Sequence, residues 1–273
     1  MSLALAALIT SIMEKRELAS LDSSFIARLL DEHLTPQVQA VLDSDLTQKQ
    51  VLRNAQVIAL IKEVRSILHE TYGMFVLEKT GQKEKLLDKY VRHELSLDAL
   101  DAALLSLHRS SKERLPFYPR LYAELFAIIG MPNSVVDLAA GMNPCSYGFL
   151  GCSPHYIAVE LSKTHCTFLN TYFARTKRNG EARAQDLTRG KERIVGDLCL
   201  LFKTVDTLES LERGSSIRVL QRIHAKHVVL SFPTRSLGGK RLAIREPWIL
   251  KHIPYSVVGM VELPNERCYV LTR

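Results

Sequence analysis

The chain of 273 residues has little cysteine and less tryptophan, with five of the first and one of the second. The cysteines (Cys145, Cys152, Cys166, Cys199 and Cys268) are odd in number, form no C-x-x-C pair and sit partly inside apolar runs. Neither a disulfide framework nor a zinc site is indicated, and a reducing cytoplasm fits best. Long apolar stretches are missing as well: no run reaches the roughly 18 residues that a membrane span needs. The apolar start, Met1 to Met13, lacks a basic leader and a small-residue cleavage signature and runs into Glu14-Lys15-Arg16-Glu17, so it reads as an amphipathic helix rather than a signal peptide. Internal repeats and low-complexity tracts are absent, and so is a G-x-G-x-x-G phosphate cradle, which argues against a dinucleotide cofactor.

What is present is an ordinary globular composition, 47% hydrophobic and 24% charged, which excludes a wholly disordered chain. The departure is charge. A net +7 favours a polyanionic partner, nucleic acid ahead of an acidic membrane surface. Residues 1–104 carry 12 basic and 15 acidic side chains, whereas residues 105–273 carry 24 and 14, so the excess lies after Leu104. A second, local patch occupies residues 49–92, with nine basic side chains against five acidic, including Lys79, Lys83, Lys85 and Lys89. Singly, each of these lysines reads as part of a solvated helix face.

Up to about Gly130 the apolar residues recur at helical spacing, as in Phe25-Ile26-Leu29-Leu30 and Val57-Ile58-Ile61-Val64-Ile67-Leu68, with breaks at Pro36, Gly73 and Gly81. From Ser134 the texture changes to short apolar runs. Strands are expected at 134–139, 155–160, 181–185, 196–202, 226–232, 256–262 and 267–272, with helices near 145–151, 163–178 and 206–224. Helical crossovers require parallel strands, while only four residues, Leu263 to Glu266, separate the last two, which must pair antiparallel. The fold class is therefore α/β: the seven-stranded, Rossmann-like sheet with a terminal antiparallel hairpin of a class I S-adenosylmethionine-dependent methyltransferase. A helical N-terminal domain over 1–104 precedes the sheet domain over 105–273.

In such a sheet the ligand lies over the carboxyl ends of the strands beside the first one. There, Val135-Val136-Asp137-Leu138 leads into Ala139-Ala140-Gly141-Met142-Asn143-Pro144, where Gly141 lets the backbone approach a ligand. Glu160, at the end of the second strand, can accept both hydroxyls of a ribose, and Asp186, past the third, the adenine amino group. Alone each acid reads as a surface carboxylate; in this order, with no phosphate loop, they point to S-adenosylmethionine.

The sequence resembles the aminoglycoside-resistance 16S ribosomal RNA guanine-N7 methyltransferases. The motifs are His108-Arg109-Ser110-Ser111-Lys112-Glu113-Arg114-Leu115, Asp137 to Pro144, Gly196-Asp197-Leu198-Cys199-Leu200-Leu201-Phe202-Lys203 and, most specific, Ser231-Phe232-Pro233-Thr234-Arg235-Ser236-Leu237-Gly238-Gly239. A weaker likeness runs from Arg65 to Val76. The resemblance implies a helical extension that docks on 16S rRNA within the 30S subunit, joined to a methyl-transferring domain in a cytoplasmic monomer that needs no metal and no membrane. It implies that Arg114 holds the methionine carboxylate of the cofactor, with Gly141, Glu160 and Asp186 completing the site; Asp137 reads as the residue that fixes the cofactor loop. Lys203 and Arg235 are then the residues that position the target base, Phe232 stacks on it or packs the core, and Arg65, Lys79, Lys83 and Lys85 face RNA. Guanine N7 has a lone pair and no proton to lose, so no general base is expected.

Three features depart from the family: a shorter segment at 239–248 carrying Trp248, Thr204-Val205-Asp206-Thr207 in place of an apolar, proline-containing stretch, and a first 48 residues with three basic against seven acidic side chains. They keep open a methyltransferase acting on another RNA or a small molecule, and a non-catalytic RNA-binding protein on the same scaffold.

Overall fold

The computed structural model describes residues 3–235, 242 and 247–273; Ser236 to Gly239, and most of the segment at 239–248, lie outside the described residues. Five helices open the chain: α1 (Leu3–Met13), α2 (Ser23–Glu32), α3 (Pro36–Leu42), α4 (Gln48–Val51) and α5 (Ala55–Thr71). Their starts are written in side chains that satisfy orphan backbone N–H groups. Asp22 accepts from Ser24 N–H, Asn54 from Gln56 and Val57 N–H, and Thr47 forms a reciprocal capping box with Gln50. α5 buries Val57, Leu60, Ile61, Val64 and Leu68 along one stripe, and these meet Leu8, Ile12, Phe25, Ile26 and Leu29 in a core of their own.

The next four helices are α6 (Gln82–Val91), α7 (Leu97–Leu105), α8 (Arg109–Arg114) and α9 (Tyr118–Ile129). They bury Leu87, Leu100, Leu104, Leu121 and Leu125 in the core beneath one face of the sheet. α6 and α7, placed by composition in the N-terminal domain, thus share the sheet's core, which reaches back past residue 104.

The sheet holds β1 (Ser134–Leu138), β2 (His155–Glu160), β3 (Gly180–Ala184), β4 (Ile194–Phe202), β5 (Ile223–Pro233), β6 (Ser256–Leu263) and β7 (Glu266–Thr272), in the order β3-β2-β1-β4-β5-β7-β6. The first five run parallel; β7 enters antiparallel between β5 and β6, and the two-residue connection Pro264-Asn265 closes its hairpin with β6. Alternate residues serve opposite faces: Val135, Leu198, Leu200 and Val229 join one core, and Val136, Leu138, Cys199, Leu201, Val228 and Leu230 the other. Crossovers run through a 3-10 segment (Asn143–Leu150), α10 (Lys163–Thr176), α11 (Val205–Leu211) and α12 (Ser215–Arg222). The single helix expected over 206–224 is broken into these last two. Gly214, at φ +79°, turns the chain, and the Glu209 carboxylate caps the new start by accepting from Gly214 and Ser216 N–H at 2.8 and 3.0 Å. Among the described residues no helix is long and apolar enough to cross a membrane.

Candidate active site

The two central strands end in the same unusual way. After β1, Ala139 and Gly141 adopt φ of +53° and +49°, and after β4, Lys203 adopts +56°. A left-handed conformation costs a non-glycine residue of order 1 kcal/mol or more and persists where the surroundings over-determine it. Here Ala140 N–H donates to the Val159 carbonyl at 3.1 Å and Lys203 N–H to Ser231 Oγ at 2.9 Å. The turns open a groove at the switch point between β1 and β4, where parallel α/β sheets bind ligands.

The groove has three adjoining compartments. A cleft of about 320 Å³ is lined by Gly141, Glu160, His165 and Lys203 from the sheet side and by Tyr72, Phe75, His108 and Ser110 from the helices. A slot of about 70 Å³ continues past Glu160, between Phe25, Tyr72, Val159, Leu187 and Leu208, with Asp186 at its edge. On the other side, past Lys203, lies a space of about 420 Å³ bordered by Arg109, Glu113, Asp206, Pro233 and Arg235.

Glu160 is positioned to act on a ligand rather than on its neighbours. Each oxygen accepts one backbone N–H, Oε2 from Gly141 at 2.9 Å and Oε1 from Leu161 at 2.8 Å, so each keeps an acceptor direction for one of a pair of hydroxyls. The mostly apolar slot with a carboxylate at its rim suits a purine, Glu160 suits the ribose, and the cleft beyond has room for an amino-acid tail. A nucleoside methyl donor without phosphates therefore fits the residues present. Gly141 is required twice over: besides its φ, a Cβ there would lie 3.0 Å from the His108 ring. Burial pushes the His108 imidazole down to about 3, which keeps it neutral beside a cationic ligand.

Asp137 and Arg114 stand outside the lining of this groove. Asp137 accepts from Tyr156 O–H at 2.7 Å and Asn143 Nδ2 at 2.9 Å, which pins the loop after β1; burial pushes its carboxyl up to about 7. Arg114 lies 4.5 Å over the Phe202 ring; its Nε donates to Glu266 at 2.8 Å, and Nη1 to Tyr118 and Asn143. Its side chain is 2% exposed. Lys203 joins the same network, with Nζ 2.6 Å from Glu113 and 3.8 Å from Glu266, and it borders both larger compartments.

Among the residues expected to meet RNA, Lys79 and Lys85 are exposed, as is Arg235 at the rim of the outer space. Three others are placed differently. Lys83 is buried, 3.4 Å from Glu78 and over the Phe168 ring, because the helical face that carries it turns inward toward α10. Arg65 braces α5 against α1, donating to the Ser11 carbonyl and lying 3.6 Å from Glu14. Phe232 is half-buried, edge-on to Tyr269 at 6.0 Å and packed against the core of the second sheet face. Sequence reasoning missed Phe75 and Tyr72, which stand in the Arg65 to Val76 stretch, and His108, which opens its own motif and stacks on Phe75 at 5.7 Å. It also missed Glu266, whose only signal is an acid at the mouth of the last hairpin.

The family model for "Ribosomal RNA methyltransferase (FmrO)" matches residues 44–250. A 16S rRNA (guanine(1405)-N(7))-methyltransferase of Serratia marcescens is 36% identical over 198 residues, which cover 65% of this chain and 75% of that protein. One from Proteus mirabilis is 28% identical over 238 residues, covering 78% and 84%. Among solved structures, the 16S rRNA methyltransferase RmtF in complex with S-adenosyl-L-homocysteine superposes with a TM-score of 0.76 at 24% identity over 100% of this chain and 99% of that one, which establishes the fold. With the class I sheet in place and the match spanning most of its length, the chain belongs to the FmrO family of ribosomal RNA methyltransferases.

Proposed function

We propose that this enzyme transfers a methyl group from S-adenosylmethionine to N7 of a guanine in the decoding region of 16S rRNA, and that the modification lowers susceptibility to aminoglycosides. The observation that carries the reading is the continuity of the three compartments, with Glu160 shared by the slot and the cleft and Lys203 by the cleft and the outer space. The target named for the relatives, guanine 1405, supports the choice of base.

S-adenosylmethionine supplies an electrophilic methyl on its sulfonium. The protein supplies placement. Glu160 accepts the ribose hydroxyls, Asp186 the adenine amino group, and Gly141 brings the backbone close. Lys203 and Arg235, on the side of the outer space, hold the target nucleotide and its phosphates, and Arg114 and Asp137 keep the lining in place from behind. Because guanine N7 needs no deprotonation, proximity and orientation account for the rate, worth several kcal/mol of barrier when two reactants are held in contact.

The helical unit ahead of the sheet serves as the rRNA-docking part, with Lys79 and Lys85 as phosphate contacts and the assembled 30S subunit as substrate. Such an enzyme acts in the cytoplasm, as a monomer and without metal. Expression in a susceptible bacterium under aminoglycoside challenge tests the reading: growth with an N7-methylated decoding-site guanine is expected, and unchanged sensitivity with an unmodified guanine sinks it.

A further inference from the structure

Polar contacts fasten the N-terminal helical unit to the carboxyl edge of the sheet, and they gather at the slot end of the groove. Ser162 O–H donates to the Ser20 carbonyl at 2.6 Å, Lys163 Nζ lies 2.7 Å from Asp22, Arg28 Nη2 donates to Asp186 at 2.9 Å, and Arg189 pairs with Glu32. The helices also supply Phe25 and Tyr72 to the slot itself.

The Asp186 carboxylate is consequently almost saturated. Oδ1 accepts from Thr188 N–H at 2.9 Å and Thr188 O–H at 2.6 Å, and Oδ2 accepts from Arg28. One acceptor direction remains, on Oδ2. Arg28 is in turn fixed: Nη1 donates to both oxygens of Glu32 at 2.7 and 2.9 Å, and the guanidinium lies 4.9 Å over the Phe25 ring. A planar guanidinium held by Glu32 donates to Asp186 Oδ2 along a fixed direction, as a freely rotating ammonium does not.

We infer that Arg28 is a positioning residue of the cofactor site: it orients Asp186 so that the one open lone pair of Oδ2 meets the 6-amino group of adenine, and the helical unit is thereby a wall of that site as well as a docking arm. The inference rests on the reading above that the groove binds S-adenosylmethionine. It gives the acidic start of the chain a purpose other than RNA contact, since Asp22 and Glu32 serve this seam.

The test is calorimetric titration of the full chain with S-adenosylhomocysteine and with its purine-riboside analogue, which lacks the 6-amino group. The wild-type protein is expected to prefer the amino compound. Arg28→Gln is expected to weaken S-adenosylhomocysteine by about fivefold to tenfold, part of the worth of one hydrogen bond to a charged group because Asp186 remains but is no longer oriented, and to leave the analogue unchanged. Arg28→Lys is expected to fall between, and thermal melts report whether each variant is folded. Equal weakening of both ligands would mean a merely structural brace and would overturn the inference, as would unchanged affinities in a folded variant. A wild-type protein that binds neither ligand removes the underlying reading itself. Wild-type binding with no preference removes only the role of Arg28.

Discussion

Glu160 has both oxygens supported by backbone N–H groups and both left with an open direction. Replacing it by glutamine keeps one acceptor and discards the charge, so the affinity for S-adenosylhomocysteine is expected to fall by about 1.5–3 kcal/mol in a protein that stays folded, read by calorimetry. Gly141→Ala acts differently. The left-handed φ and the His108 ring 3.0 Å from the new Cβ predict a loss of about 1–2 kcal/mol of folding stability, seen by urea unfolding, together with weaker cofactor binding. Asp137 contributes to the pH dependence of stability, in the same direction as Asp101 and against His108. Its carboxyl sits near 7 when folded against 3.8 for an ordinary aspartate, because burial outweighs the donors from Tyr156 and Asn143. The folded state therefore holds an extra proton between those values, and the corresponding stability is complete at low pH and lost as pH rises through about 7. Asp137→Asn is expected to reduce the fall in unfolding free energy between pH 5 and pH 8 by a few kcal/mol. An unchanged fall contradicts the assignment.

At the scale of elements, one clamp ties α7 to the C-terminal end of α10. Arg178, after α10, donates to both oxygens of Asp101 at 2.9 and 2.6 Å, and Tyr172 donates to the same carboxylate at 2.6 Å. Burial still pushes Asp101 up to about 6. Arg178→Ala strands this carboxyl, and a loss of about 3–5 kcal/mol in chemical denaturation is expected. Nothing in the sequence announced the pair, because its members stand 77 residues apart and each reads alone as a surface charge. The strands, by contrast, were legible: parallel neighbours buried on both faces leave continuous apolar runs, and the expected ends fall close to the observed ones. Gly214 broke a helix whose apolar spacing ran on across it, since Glu209 satisfies a new start that periodicity alone does not reveal. Among the site residues, Gly141 and Glu160 could be placed because a strand end fixes them. Lys83 and Arg65 could not, because which face of a helix turns inward depends on α10 and α1, which lie far away in the chain.

For the molecule as a whole, a net charge of +7 said only that the partner is anionic. The folded chain divides it. Arg65 and Lys83 are spent on internal partners, while Lys79, Lys85 and Lys89 remain exposed along one helix and the turn before it. Replacing these three by alanine is expected to weaken binding to 30S subunits and to lower the slope of log K against log salt by about two to three, with cofactor affinity unchanged. Of the seven acids in the first 48 residues, Asp22 and Glu32 pair with Lys163 and Arg189 of the sheet domain. The proposed function requires that the exposed lysines and the groove act on one folded rRNA. The most direct measurement is transfer of a tritiated methyl group from S-adenosylmethionine to isolated 30S subunits and to naked 16S rRNA, followed by mapping of the labelled nucleotide. The account predicts label on N7 of a decoding-region guanine in the subunit and little on free RNA; label on another nucleotide, or none in the subunit, contradicts it.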